Sequence, residues 1–388
     1  VIGYNAMSGS LGTTTDHCTA NQNVLIGVKA GYVNLSGNHN VGIGDEALYN
    51  LTTGDDNIAI GSSALNTEDT GSKSIAIGYE ALKAQDYDGD SGNIGIGYQA
   101  GLSNTSGIGN VYTGLYAGRY VTTGTRNIFI GRGAGQGVVG NKLTGSSNVA
   151  IGDYAGSALQ AGAAQNHFIG DGAGQSVTTG WQNFAIGRHS LDAEVAGNRS
   201  VAIGNAALTN ATQGTNTQVE NTAIGYGAGD TITSGINCTF IGGSSDGIAD
   251  GNNQIAIGQG SACATANTAM IGNSSITDVY MGDNGSTWST TSDGRLKENI
   301  KDWNKGLDEI NKLRIVQYNF KKDNPFKYNS NKLRQGVIAQ EALDAIPEMI
   351  TENDNGWLSA NNEPMIWALV NAVQELSKEV DELKRRLK

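Results

Sequence analysis

A short string ending in Ile-Gly recurs along three quarters of this 388-residue chain, and its spacing leaves few folds open. Its glycines are Gly3, Gly27, Gly44, Gly61, Gly78, Gly97, Gly114, Gly131, Gly152, Gly170, Gly187, Gly204, Gly225, Gly242, Gly258 and Gly272. After a first gap of 24 residues the commonest gap is 17, with a range of 14 to 21. The usual unit reads Asn-x-Ala-Ile-Gly-x-x-Ala-Gly/Leu and then a Thr/Ser/Gly/Asn turn. Seventeen residues are too few for a two-helix repeat, and Gly and Thr disfavour helix. Residues within the string alternate: in Val149-Ala150-Ile151, valine and isoleucine point one way and alanine the other. The expected fold is a β-solenoid, mainly β, with one or two short strands per coil stacked parallel on the coils before and after. A single coil cannot bury its own isoleucine, so stacking makes the row of isoleucines continuous. Glycine after isoleucine supplies a tight corner or admits a neighbouring backbone. The leading asparagine suits an Asx turn or a side-chain ladder. At about 4.8 Å per coil, sixteen coils make a rod of roughly 75 Å. A face of Ala, Gly and Ser is expected to let a second chain approach the rod closely.

The pattern stops near residue 291. Residues 1–291 hold 52 of the 56 glycines and no proline, with 9 basic and 21 acidic residues. Residues 292–388 hold Pro325, Pro347 and Pro364, with 16 basic and 16 acidic residues. So sharp a shift marks a domain boundary. The layout expected is a solenoid stalk over 1–282, a polar connector over 283–291, an α+β domain over 292–365 and a coiled-coil helix over 366–388. The net charge of -12 lies wholly in residues 1–291, which argues against nucleic-acid binding. Glycine without a three-residue period or much proline excludes collagen. No apolar run is long enough for a membrane helix, and no membrane insertion is expected. No GxxxxGK[ST] string occurs, so ATP use is not expected. Cys18, Cys238 and Cys263 make no disulfide framework and no CxxC pair. His17, His39, His167 and His189 have no metal-ligand spacing; His17 beside Cys18 is two loose ligands without a partner motif. No metal and no cofactor are expected.

Two features give the stalk a possible contact role. Aromatics sit off the consensus at Tyr79, Tyr98, Tyr116, Tyr154, Trp181 and Tyr226. The coils from Gly131 to Gly152 and from Gly204 to Gly225 are longer than their neighbours, and insertions of this kind often mark a binding face. The partner implied is a host-surface glycan or protein receptor. Plain scaffolding is the simpler reading of the same residues.

In the C-terminal part, Gly306, Leu307, Ile310 and Leu313 follow a helical pattern, and Ile315 to Phe320 reads as a strand. Gly336 to Glu341 reads as a strand or turn running into a helix that ends by Pro347. Ile366, Leu369, Val373, Leu376, Val380, Leu383 and Leu387 recur at alternating steps of 3 and 4, an apolar seam over three heptads. Such a seam wants a partner helix. Valine at 373 and 380 with leucine at 376 and 383 would by itself suit a dimer.

Two resemblances sharpen these readings. Residues 1 to about 285 resemble the β-roll heads of trimeric autotransporter adhesins, whose repeats also read Asn-x-Ala-Ile-Gly, although their usual period is 14. Residues 292–388 resemble the intramolecular chaperone domain of phage tailspikes and tail fibres, the endosialidase-type self-cleaving family. The matching residues are Ser292, Asp293, Arg295 to Asn299, Gly336 to Glu341, Pro347-Glu348, Leu369 and Ala372 to Leu376. The chain departs from that family before the last helix, where Asn362 to Leu369 replaces a tyrosine and a Pro-Leu-Leu run.

The second resemblance implies a homotrimer and a serine-lysine dyad. Ser292 would be the nucleophile, Lys297 the general base and Asn299 an oxyanion donor, with the cut at Thr291-Ser292. A lysine serves as base only when its pKa falls well below about 10.4, through burial or a neighbouring cation such as Arg295. A bend at Gly294 or a partner subunit would have to bring the dyad together. Without the resemblance, Ser292 reads as a helix cap and Lys297-Glu298 as a solvated face.

The physical purpose stands without the family. Coils that resemble one another align poorly, and nonlocal β structure folds slowly, so a C-terminal clamp in register helps. Cutting after assembly would trap the rod kinetically. The function expected is a virion tail fibre or tailspike fragment; a bacterial surface adhesin built from the same parts is the alternative. A glycan-cutting spike would need paired acids among Asp16, Asp45, Glu46, Asp55, Asp56, Asp86, Asp88 and Asp171.

Overall fold

The computed structural model describes residues 1–6, 19–212, 218–276, 295, 297–324, 330–352 and 356–387. The chain divides into two compact units, 1–273 and 274–388.

The first unit is a β-solenoid with one three-residue strand per coil, from β1 (Val24–Ile26) to β15 (Ala269–Ile271), as the repeat period implies. Each strand pairs in parallel with the strands of the adjacent coils, in the order of the sequence. The register places like on like: Val24 opposite Val41, Ala59 opposite Ala76, Ile186 opposite Ile203. The copy at Gly3 joins the stack through a bridge between Ile2 and Ile26.

The interior corrects one expectation. The small residues do not form an outer face for another chain; they line the inside. The central residue of most strands is fully buried, as at Ala59, Ala150 and Ala202, while the flanking Val and Ile are half-buried or exposed. The strand centre and the position four residues past the Ile-Gly glycine face the same narrow part of the interior, and the sequence adjusts there. In several coils whose strand centre is alanine, leucine stands four residues past the Ile-Gly glycine: Ala59 with Leu65, Ala185 with Leu191, Ala202 with Leu208, all fully buried; Ala150 and Ala223 go instead with Gly156 and Gly229, where a Cβ would lie 2.9 and 2.8 Å from the Phe168 and Phe240 rings of the following coil. In three coils with an aromatic centre, glycine stands there instead: Tyr112 with Gly118, Phe129 with Gly135, Phe168 with Gly174. A Cβ on Gly135 would lie 2.5 Å from the Phe129 ring, and one on Gly118 2.3 Å from the Tyr112 ring. The position is left-handed in either case, with φ of 52° at Gly135 and 47° at Leu65. A leucine there gives up about 1–2 kcal/mol of backbone energy, against about 1.5–3 kcal/mol from burying its side chain.

The Ile-Gly glycine is fixed by backbone approach. A Cβ on Gly61 would sit 2.3 Å from the Gly78 carbonyl oxygen of the next coil, at a φ of 136°. The leading asparagines form a buried ladder. The Asn127 backbone N–H donates to Asn110 Oδ1 at 2.9 Å, its Nδ2 donates to the Gly145 carbonyl at 3.1 Å, and its Oδ1 accepts from the Asn148 N–H at 2.9 Å. Each amide thus ties three coils and leaves no buried polar group unpaired. The longer coil between Gly131 and Gly152 turns out through an antiparallel bridge from Val138 to Asn141, with Val139 exposed. The other long coil includes residues 213–217, outside the described residues.

The second unit holds α1 (Leu307–Lys312), a hairpin of β16 (Val316–Tyr318) and β17 (Arg334–Gly336), and α2 (Ala339–Ala342). A 3-10 turn follows at Pro347–Met349, then a hairpin of β18 (Ile350–Glu352) and β19 (Leu358–Ala360), and the long helix α3 (Glu363–Arg386). Pro364 lies in the first turn of α3, where its missing N–H costs nothing. The core is small: Ala345, Ile346, Met349 and Ala368, with Ile310, Leu313, Val337, Ile350 and Met365 against it. Among the described residues no helix is long and apolar enough to cross a membrane.

Candidate functional site

Thr291 and Ser292, with Asp293, Gly294 and Leu296, lie outside the described residues, as does the connector 283–291. Arg295, Lys297 and Asn299 are described and exposed. Asn299 has a left-handed φ of 53°, which turns the run that leads from Lys297 to α1. No residue from 297 to 304 is buried and none belongs to a helix or strand.

What holds the end of this run comes from α3. Asn371 Nδ2 donates to the carbonyls of Trp303 and Lys305 at 2.8 and 2.9 Å. The carboxylate of Glu375 accepts from the Leu307 N–H at 2.8 Å, one of the first-turn donors of α1 that no helical carbonyl can satisfy. Glu309 accepts from the Gly306 N–H at 2.9 Å, and that bond holds its carboxyl below the ordinary range. A Cβ at Gly306 would lie 2.3 Å from Glu375 Oε1, so a side chain there would push that carboxylate aside. Trp303 Nε1 reaches Glu348 Oε1 at 3.4 Å. Arg314 grips Glu341 with two hydrogen bonds of 2.9 and 2.5 Å, which lowers the Glu341 carboxyl.

The helix α3 therefore has two working faces. Ala368, Asn371, Ala372 and Glu375, at steps of 3, 1 and 3, turn toward the body of the unit; Ala368 and Ala372 are buried there. The expected seam residues Ile366, Leu369, Val373, Leu376, Val380, Leu383 and Leu387 are 43–87% exposed, too much apolar surface for a solvated helix face. Ile366, Leu369, Val370 and Val373 line a shallow apolar groove with Gln374. Leu387 lies just past the helix end. Sequence reading singled out the seam and missed the role of Asn371; the second stripe was legible only as small residues beside polar ones at helical spacing.

On the solenoid, the last residues of the strands form an aliphatic column interrupted at Thr113, with Ile96, Ile130, Ile169, Ile224, Ile241 and Ile257 each 37–39% exposed. The off-consensus aromatics use their faces on one another or on arginine. Tyr79 stacks on Tyr98 at 5.2 Å, and Tyr98 meets Tyr116 edge-on at 5.5 Å. The guanidinium groups of Arg119, Arg132 and Arg199 lie 4.6–4.9 Å from the rings of Tyr116, Tyr154 and Trp181. Tyr226 is 70% exposed. Arg132 also pairs with Asp153, and this holds the Asp153 carboxyl below its ordinary range.

Of the acids considered for glycan cleavage, Asp16 lies outside the described residues, together with His17 and Cys18. Asp86 meets Glu68 and Asp69, with one carboxylate oxygen of each within 4.8 Å of the others. Burial raises Glu68 against hydrogen bonds from Gln85 and Gly71, and raises Asp86 with help from the Asp69 charge. Glycosidase carboxylate pairs stand about 5–9.5 Å apart, wider than the spacing within this cluster.

Residues 292–351 match the family model described as chaperone of endosialidase, so the C-terminal unit carries a domain of that kind. The chain is 32% identical over 118 residues to long tail fiber protein Gp37 of Enterobacteria phage Ox2, covering 29% of this chain and 43% of that one. It is 34% identical over 100 residues to long tail fiber protein Gp37 of Enterobacteria phage K3, covering 25% of this chain and 8% of that one. It is also 30% identical over 114 residues to myelin gene regulatory factor-like A of Dictyostelium discoideum, covering 25% of this chain and 12% of that one. The chain thus spans less than half the length of these curated relatives.

Proposed function

We propose that this chain is a segment of a homotrimeric viral tail fibre, with a C-terminal chaperone that sets the register of three solenoids and then releases itself by cutting Thr291-Ser292. The observation that carries the reading is the chaperone-of-endosialidase match over 292–351, C-terminal to a solenoid whose strands pair in sequence order, coil on similar coil. With three-residue strands pairing like on like, a slip by one coil replaces each contact with a near copy of itself, so register must come from elsewhere. Two surfaces support association: the isoleucine column of the rod and the exposed seam of α3. The layout that follows is a stalk to residue 282, a connector, a chaperone domain from 292 and a coiled-coil helix from 366.

In the cut, Ser292 Oγ attacks the Thr291 carbonyl carbon and passes its proton to Lys297 Nζ. The C–N bond breaks, the lysine returns the proton to the Ser292 amine, and an ester joins Thr291 to the serine oxygen. Asn299 holds the oxyanion on the way. Water then hydrolyses the ester to a Thr291 carboxylate and a free Ser292 hydroxyl. The rod keeps its register, and the released domain takes the clamp with it. The cleavage acts once, in the chain itself, and the rod's receptor is a glycan or protein on the host surface.

A denaturing gel of the freshly made chain, with N-terminal sequencing of the small fragment, tests the reading. A fragment of 97 residues beginning at Ser292 is expected, and Ser292→Ala should leave the chain whole. Cleavage of the alanine variant at the same bond would refute the mechanism.

A further inference from the structure

We propose that Asn371 and Glu375 are positioning residues for the chain-cutting step, tying the run that carries Lys297 to the same helix that carries the seam. The inference rests on the self-release reading above and deepens it. Residues 297–304 have no regular structure and no buried side chain, so the run cannot be ordered by a core of its own. Ile300 is 75% exposed and Trp303 36% exposed. Ordering such a run costs about 1–2 kcal/mol of backbone entropy per residue. The described contacts that offset this at its end are side-chain hydrogen bonds: two from Asn371, one to Glu375 and one from Trp303 to Glu348.

The geometry on α3 gives these contacts a second meaning. Asn371 and Glu375 are one turn apart and lie on the stripe with Ala368 and Ala372, while Leu369, Val373 and Leu376 of the same two turns lie on the exposed seam. An isolated α3 with its seam in water is free to fray, and its grip on Trp303, Lys305 and Leu307 frays with it. Partner helices on the seam hold those turns helical and so hold the run from Lys297. Cutting is then slow in a lone chain and fast in an assembled one, with no contact needed between the seam and the dyad. Gly306 belongs to the same device, since any side chain there would displace Glu375.

The test uses the full chain with Asn371→Ala, Glu375→Ala, Glu375→Gln and, as a control one heptad beyond Asn371 on an exposed part of the helix, Lys378→Ala. Three quantities are read: cleavage rate on denaturing gels, native assembly mass, and deuterium uptake of residues 303–307. The two alanine variants are expected to assemble at unchanged mass, exchange faster at 303–307 and cut about ten- to a hundredfold more slowly, the penalty of a misplaced reacting group. Glu375→Gln keeps a carbonyl acceptor for Leu307 and should recover most of the rate; Lys378→Ala should match the parent. Alanine variants that assemble and cut at the parental rate overturn the proposal, as does a loss of assembly that fully accounts for slower cutting. A parent chain that never cuts overturns the self-release reading instead. In that event unchanged uptake at 303–307 in both alanine variants would separately dispose of the tether.

Discussion

Replacing Phe129 with alanine should open a void at the centre of β7 (Ile128–Ile130), and a second substitution six residues on should close it. Phe129 is fully buried, and its ring fills the space that Gly135 leaves. Truncation alone is expected to cost about 3–5 kcal/mol. Gly135→Leu alone should also destabilise, since its Cβ would lie 2.5 Å from the Phe129 ring; overpacking of this kind costs about 1–3 kcal/mol, and a leucine at this left-handed position about 1–2 kcal/mol more. Combined, Phe129→Ala and Gly135→Leu reproduce the arrangement of the coils at Ala59/Leu65 and Ala202/Leu208, whose leucines have φ of 47° and 51°. The double variant should therefore lose little beyond the backbone term, and the two substitutions should couple favourably by at least about 2 kcal/mol, where independent sites add within about 0.5 kcal/mol. A solenoid opens locally, so hydrogen exchange of the amides in β7 and in the coil after it is the appropriate measure. A coupling of 2 kcal/mol appears there as about a thirtyfold difference in exchange from the additive expectation. Additive losses, or a double variant worse than either single one, would refute the rule that one coil holds one large residue at these two positions.

Two further outcomes follow from buried polar groups. The Tyr112 hydroxyl is buried with no hydrogen-bond partner among the described residues, so Tyr112→Phe should stabilise that coil by about 1–3 kcal/mol, read as slower exchange around Val111–Thr113; a loss of protection would mean the hydroxyl has a partner. Burial, with Asp230 nearby, raises the Asp246 carboxyl to about 6, against hydrogen bonds from Thr231 and the Gly247 N–H. A carboxyl whose folded pKa exceeds its unfolded value penalises the folded state above the higher pKa. That penalty lifts as pH falls from about 6 to about 4, so this coil should gain stability across that window. Asp246→Asn should remove the gain, and equal pH dependence in the parent and the variant would show that Asp246 is not its source.

How much of this was legible in the residues varies by element. The stacked coils were, because a 17-residue step with glycine after isoleucine fits little else. So was α3, because three heptads of apolar residues beside charged ones state a helix that lacks a partner. The hairpins of the second unit were half legible: Ile315 to Phe320 reads as a strand, but its partner Arg334–Gly336 has no alternation to announce it. The short strand Leu358–Ala360 is set by its pairing with Ile350–Glu352 alone.

The sequence by itself determined the period, the stacking of the coils and the presence of a long last helix, because each is a repeat and repeats are written in one dimension. It also determined that alanine and isoleucine take opposite sides of each strand. Which side is inside was decided only by the tertiary structure. The coil is narrow, so its cross-section admits Ala59 with Leu65 or Phe129 with Gly135 and leaves Ile60 and Ile130 on the outer side of their strands. The grip of Asn371 and Glu375 on residues 303–307 is likewise a tertiary decision, since those partners lie 66–68 residues apart and no local pattern links them.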